Sequence, residues 1–142
     1  MANPAFSTRY KGRDGRLWIN VTENKTLAAE DSGLVQNVTA SGVTLTVPAT
    51  ATVGSWTIRD GGVKATSAAT GAVASAARPI IDVNASDTLA GLNVEGTEAD
   101  GKYIRVASAT ASEGDEITIT NTGATNGGFI NGAVIGDWER EA

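Results

Sequence analysis

Two acidic clusters hold most of the side chains that could do chemistry. "EGTEADGK" places Glu95, Glu98 and Asp100 ahead of Gly101, and "SEGDE" brings together Glu113, Asp115 and Glu116. Calcium takes oxygen ligands from such loops, and a pair of carboxylates is what glycoside hydrolysis requires. Neither cluster has the D-x-[DN]-x-[DN]-G spacing of a calcium loop, and acidic turns are ordinary solvated features of an acidic chain. A glycosidase also needs a cleft lined with aromatics, and this chain has 3 Trp, 2 Tyr and 2 Phe among 142 residues. There is no Cys and no His. That removes the thiolate nucleophile, the disulfide framework, the Cys-based zinc site and any Ser-His-Asp or Cys-His triad. No Gly-rich stretch has the strand–GxxxxGK–helix form that cradles phosphate. The chain is therefore expected to be no enzyme, and to need no metal and no other cofactor.

The charge is unevenly spread. Net charge is −5, yet the first 16 residues carry Arg9, Lys11, Arg13 and Arg16 against Asp14 alone, a balance of +3. The rest of the chain has a balance of −8. A basic arm on an acidic body suggests that the arm docks on something acidic, while an acidic body repels phosphates, so no nucleic-acid partner is expected. Phe6 and Tyr10 are apolar anchors spaced as an extended arm presents them to a partner. No apolar run approaches the ~20 residues of a membrane span. The opening "MANPAFSTRYKG" lacks the apolar region of a secretion signal, so the four Asn-x-Ser/Thr sequons read as unglycosylated.

The elements that must position these groups follow a period of two. In "RLWINVT", Leu17, Ile19 and Val21 face one way and Trp18, Asn20 and Thr22 the other. "LVQNVTA" and "VTLTVPA" follow, broken at Ser41-Gly42, and Pro48 ends the second run. A phrase then appears twice: "TVPATATVGSWTI" and "RVASATASEGDEITI" each set a loop between two strand-like runs, with Gly54 or Gly114 just before the second. This predicts hairpin punctuation. Asn24 to Gly33 predicts a loop or one helical turn, and Asp60 to Ala77 a long small-residue loop. "RPIIDVN" predicts a strand, Leu92 to Val94 a short one, and Phe129 to about Trp138 a last one. At least two of Trp18, Trp56 and Trp138 belong in a core. The fold class is all-β: a compact antiparallel β-sandwich or barrel of about eight short strands, with an extended N-terminal arm over residues 1–15 and a single β domain over 16–142.

The whole chain resembles the head decoration, or cement, proteins of tailed bacteriophages. A short basic arm, an Ala/Thr/Gly/Val-rich β body and the absence of Cys and His go together with "TLTVPATATVGSWTIRDGG", "RVASATASEGDEITITNTG" and the terminal "GDWEREA" in carrying the likeness. The resemblance implies many copies on the outer capsid surface of the virion, as homotrimers at three-fold positions, each arm pairing along strands of the major capsid protein. Phe6, Arg9, Tyr10, Lys11, Arg13 and Arg16 are then the capsid-binding residues, with no membrane involved. Two other classes fit the same composition. One is another virion structural protein, such as a tail or fibre component, or an adhesin-like carbohydrate-binding β module with an exposed Trp. The other is a small carboxylate-dependent hydrolase.

Overall fold

A computed structural model describes residues 9–11, 14–40, 42–61, 79–82, 84, 89–90, 104–106, 114–123, 128–136 and 138–140. The predicted long loop beyond Gly61 and the strand at 92–94 lie outside them. Twelve strands occur among the described residues: β1 Arg9–Lys11, β2 Leu17–Val21, β3 Lys25–Thr26, β4 Val35–Val38, β5 Thr44–Thr46, β6 Gly54–Asp60, β7 Ile80–Asp82, β8 Leu89–Ala90, β9 Ile104–Val106, β10 Glu116–Asn121, β11 Gly128–Ile135 and β12 Trp138–Arg140. The single helical element among the described residues is a 3-10 turn at Ala29–Asp31, inside the segment expected to be a loop or one helical turn. The protein is all-β, as its periodicity predicts.

The strands form a seven-stranded sheet in the order β1-β2-β4-β6-β10-β11-β8 and a five-stranded sheet in the order β12-β9-β7-β5-β3. Here the antiparallel expectation is corrected to mixed sheets: β1/β2, β6/β10, β10/β11, β7/β9 and β9/β12 pair antiparallel, while β2/β4, β4/β6, β3/β5, β5/β7 and β8/β11 pair in parallel. From β2 to β7 the chain alternates between the sheets, so each pass lies beside an earlier strand running the same way. The path is a coil of three turns (β2/β3, β4/β5 and β6/β7), and β10 closes it by pairing antiparallel with β6.

The repeated phrase has a different job from the one its spelling suggests. In each copy the first strand (β5 or β9) belongs to the five-stranded sheet and the second (β6 or β10) to the seven-stranded sheet. The phrase marks crossings between sheets, and the two second strands are direct neighbours, with Trp56 opposite Ile119. The predicted last strand is likewise two strands. It breaks at Gly136, whose φ of 84° ends β11 and sends β12 into the other sheet. A side chain at Gly136 would collide with the Asp115 carboxylate.

Alternation within each strand decides what is inside. In β6, Trp56, Ile58 and Asp60 are buried while Ser55, Thr57 and Arg59 are half-buried; in β10, Ile117, Ile119 and Asn121 are buried. One core cluster takes Val21, Val38, Trp56, Ile58, Ile117 and Ile119 from the larger sheet and Leu45, Ile81 and Trp138 from the smaller. Fully burying each aliphatic side chain is worth about 1.5–3 kcal/mol. The buried indoles keep their donors satisfied: Trp56 Nε1 donates to Ala28 O at 2.9 Å and Trp138 Nε1 to Ile135 O at 3.0 Å. Lys25 Nζ enters beside the core only because Asp31 Oδ1 and Gln36 Oε1 accept from it at 2.8 and 3.0 Å.

Candidate functional site

Parallel, in-register stacking lines up equivalent positions of successive turns. On the outer face of the seven-stranded sheet it sets Asn20 beside Asn37 and Asn37 beside Arg59, and the antiparallel pair β6/β10 extends the row to Glu116. Its first three members are hydrogen-bonded in sequence. Asn37 Nδ2 donates to Asn20 Oδ1 at 3.0 Å, and Arg59 Nη1 donates to Asn37 Oδ1 at 2.8 Å.

Strand β1 and the residues Asp14–Arg16 are seated on this row. Strand β1 pairs antiparallel with β2, which places Tyr10 opposite Trp18 with ring centroids 5.9 Å apart. The Tyr10 hydroxyl donates to Asn20 Oδ1 at 2.8 Å. The Arg59 guanidinium lies over the Trp18 ring, 4.7 Å from its centroid, a contact worth about 0.5–1 kcal/mol at an exposed site. Trp18 Nε1 donates to Asp14 Oδ1 at 3.2 Å, and the same oxygen accepts from the Arg16 backbone N at 3.0 Å. Arg16 Nε donates to Asp14 Oδ2 at 2.6 Å, while its two terminal nitrogens form a fork on Glu116, at 2.6 Å to Oε1 and 2.9 Å to Oε2. A two-bond fork of this kind fixes direction as well as charge.

Electrostatics follow the bonds. The Asp14 carboxyl is held below the ordinary aspartate range, chiefly by the Arg16 backbone N–H, with the Arg16 side chain and Trp18 adding and burial opposing. Arg16 is pushed further up, chiefly by its bonds to Glu116, again against desolvation.

A concavity of about 470 Å³ opens over this cluster, lined by Tyr10, Trp18, Arg59 and Ile135 with Arg16 and Glu116 among its polar groups. Tyr10 is 38% and Ile135 53% exposed. A second hollow, of about 450 Å³, lies by β2 and β3; its Lys25 and Asp31 are already bonded to each other.

The predicted arm residues divide as follows. Tyr10, Arg16 and the β1 backbone that carries Arg9 and Lys11 meet the body at this corner, and Lys11 is exposed. Phe6 and Arg13 lie outside the described residues. Of the acidic clusters, Glu95, Glu98, Asp100 and Glu113 lie outside as well. Asp115 is buried and Glu116 holds Arg16. Among the described residues no group of three or more acidic side chains could hold a metal ion, and no helix is long and apolar enough to cross a membrane. Trp56 and Trp138 are the two core tryptophans; Trp18, Asn20, Asn37 and Arg59 are site residues that sequence reasoning missed. The signal for Trp18, Asn20 and Arg59 was the outward half of the alternation in "LWINV" and "GSWTIRD"; Asn37, in a strand whose two faces each mix apolar and polar residues, carried none.

No protein-family model matches the chain, and no curated protein or solved structure shows a significant similarity to it.

Proposed function

We propose that the protein is a head decoration protein of a tailed bacteriophage. It is made in the host cytoplasm, sits on the outer surface of an assembled head and binds the major capsid protein through its N-terminal arm. It acts as a homotrimer and involves no cofactor, nucleic acid or membrane. The body is read as a β-sandwich whose two sheets share one core.

The observation that carries this reading is the seating of the arm. Among the described residues strand β1 is one of the two edge strands of its sheet, and none of Tyr10, Asp14, Arg16 or Trp18 belongs to the core cluster. An edge strand is a template to which a partner's extended chain adds, with main-chain bonds giving affinity and side-chain pockets giving selectivity. Three such arms on one trimer multiply weak contacts through effective concentration. A ligand that binds only the assembled shell stabilises that shell by mass action.

The test is direct mixing with undecorated expanded capsids, followed by imaging. Ordered density on the outer surface is expected, and bare capsids at saturating protein would end the proposal. Removing residues 1–15 is expected to abolish attachment while the body stays folded.

A tail or fibre role is the second reading, and the three-turn parallel coil favours it, because stacked turns are how extended β structures grow. Sedimentation separates the two: discrete small oligomers fit decoration, and end-to-end polymers fit a fibre. Trp18 gives less support to a sugar platform, since Arg59 covers its ring and Tyr10 packs beside it.

A further inference from the structure

We infer that the concavity between Tyr10 and Ile135 seats an apolar side chain carried by an extended, acidic segment of the protein partner. This rests on the reading that the arm corner faces a partner, and adds to it the chemistry of what is recognised.

Four observations converge on that occupant. The first is the lining. Tyr10 and Ile135 are two of four large hydrophobic residues exposed among the described residues, and both border this one hollow, together with Trp18. Trp, Tyr and Arg are the residue types that dominate binding hot spots. The second is preorganisation. Trp18 is fixed by Asp14 and Arg59, and Arg16 by its fork on Glu116. These side chains are already ordered, so little rotamer freedom remains to be lost on binding.

The third is charge. The carboxylates of Asp14 and Glu116 are matched by Arg16 and Arg59, which line the same hollow, while Lys11 stands exposed on β1. The first 16 residues carry +3 on a chain whose remainder carries −8. A partner segment with carboxylates is drawn to this corner and repelled elsewhere; a basic segment meets the opposite field. The fourth is geometry. A strand added to the free side of β1 places alternate side chains beside Tyr10, at the rim of the concavity. An extended chain can therefore pair its backbone and deliver one apolar group to the hollow.

The experiment uses the full chain and two probes. One is a peptide with fluorescein on its N-terminal amine, fluoresceinyl-Asp-Leu-Asp-Val-Asp-Ile-Asp-amide, with its Lys-for-Asp counterpart labelled the same way; the other is undecorated expanded capsids. Ile135→Glu puts a charge into the concavity from an exposed position, and Val53→Glu, at a site 66% exposed and not among the lining residues, is the control. Circular dichroism confirms that both variants fold. The acidic peptide is expected to bind the unaltered protein and the V53E variant equally, to bind the I135E variant at least roughly tenfold more weakly, and to outbind the Lys peptide. Equal binding by the I135E variant, preference for the Lys peptide, or no binding of the acidic peptide to the unaltered protein would each overturn the inference. The capsid arm keeps the two readings apart. Capsids that accept the I135E variant as well as the unaltered protein overturn the seat and leave decoration standing. Capsids that accept neither, while the peptide pattern holds, overturn decoration and leave the seat.

Discussion

Trp56 and Trp18 sit on strands two apart in the same sheet and do opposite work. Trp56 is fully buried and packs in a core shared by both sheets. Trp18 is half-buried on the outer face, with a guanidinium over its ring and a carboxylate on its nitrogen. The first belongs to a set of contacts that closes the body. The second belongs to a set that holds β1 and the turn after it against that body. The inner set is apolar; the outer set is largely polar, half-exposed and held by a few hydrogen bonds and one two-bond fork. The difference implies that β1 and the Asp14–Arg16 segment can be released at a small cost while the core remains intact.

The comparison can be broken at several points. Trp56→Ala should cost about 3–5 kcal/mol in urea unfolding, as large-to-small core changes do. A loss near 1 kcal/mol would show that the inner set is not what closes the body. Gly136→Ala, which forces a side chain into a left-handed backbone position and against Asp115, should cost roughly 1–3 kcal/mol and lower the cooperativity with which Trp138 is buried.

Trp18→Ala tests the outer set. Amide exchange at residues 9–11 should rise sharply while global stability falls by about 1 kcal/mol; a fall as large as that of Trp56→Ala would merge the two regions into one. A double-mutant cycle on Arg16→Gln and Glu116→Gln should return about 0.2–1 kcal/mol, the range of exposed ion pairs. The smallest effect is acid. A carboxyl held below its usual range contributes stability that is present above that range and lost as pH falls through the lowered value. Acidification through the Asp14 titration should therefore shift the amide signals of residues 14–18 while the indole signals of Trp56 and Trp138 stay in place. Simultaneous movement of all three would contradict a separable arm.

How much of this was legible in the sequence depends on the range of the interaction. Alternation in "LWINV", "GSWTIRD" and "EITITN" showed strands and the face each side chain takes, because period two is a property of one strand alone. It says nothing about which strand lies beside which. The pairing of β2 with β4 and of β6 with β10 depends on the path of the whole chain, so the coil, and the crossings at the repeated phrase, stayed hidden. The corner was half visible. Tyr10 and Arg16 stood out by type and charge, but their partners Asn37 and Glu116 are 27 and 100 residues away in sequence. Glu116 attracted notice as a calcium ligand candidate, when its neighbour in space is an arginine.

The seat of β6 has a consequence for synthesis. A chain made from its N-terminus can stack β2, β4 and β6 side by side as they emerge, but β10, the other neighbour of β6, is made some 60 positions later, as the pairing of Thr57 with Thr118 across 61 residues shows. Until then a seven-residue strand bearing Trp56 and Ile58 presents an unpaired rim. Bare rims of that length recruit other chains, so the interval between translating Asp60 and translating Asn121 is when this protein is most prone to aggregate.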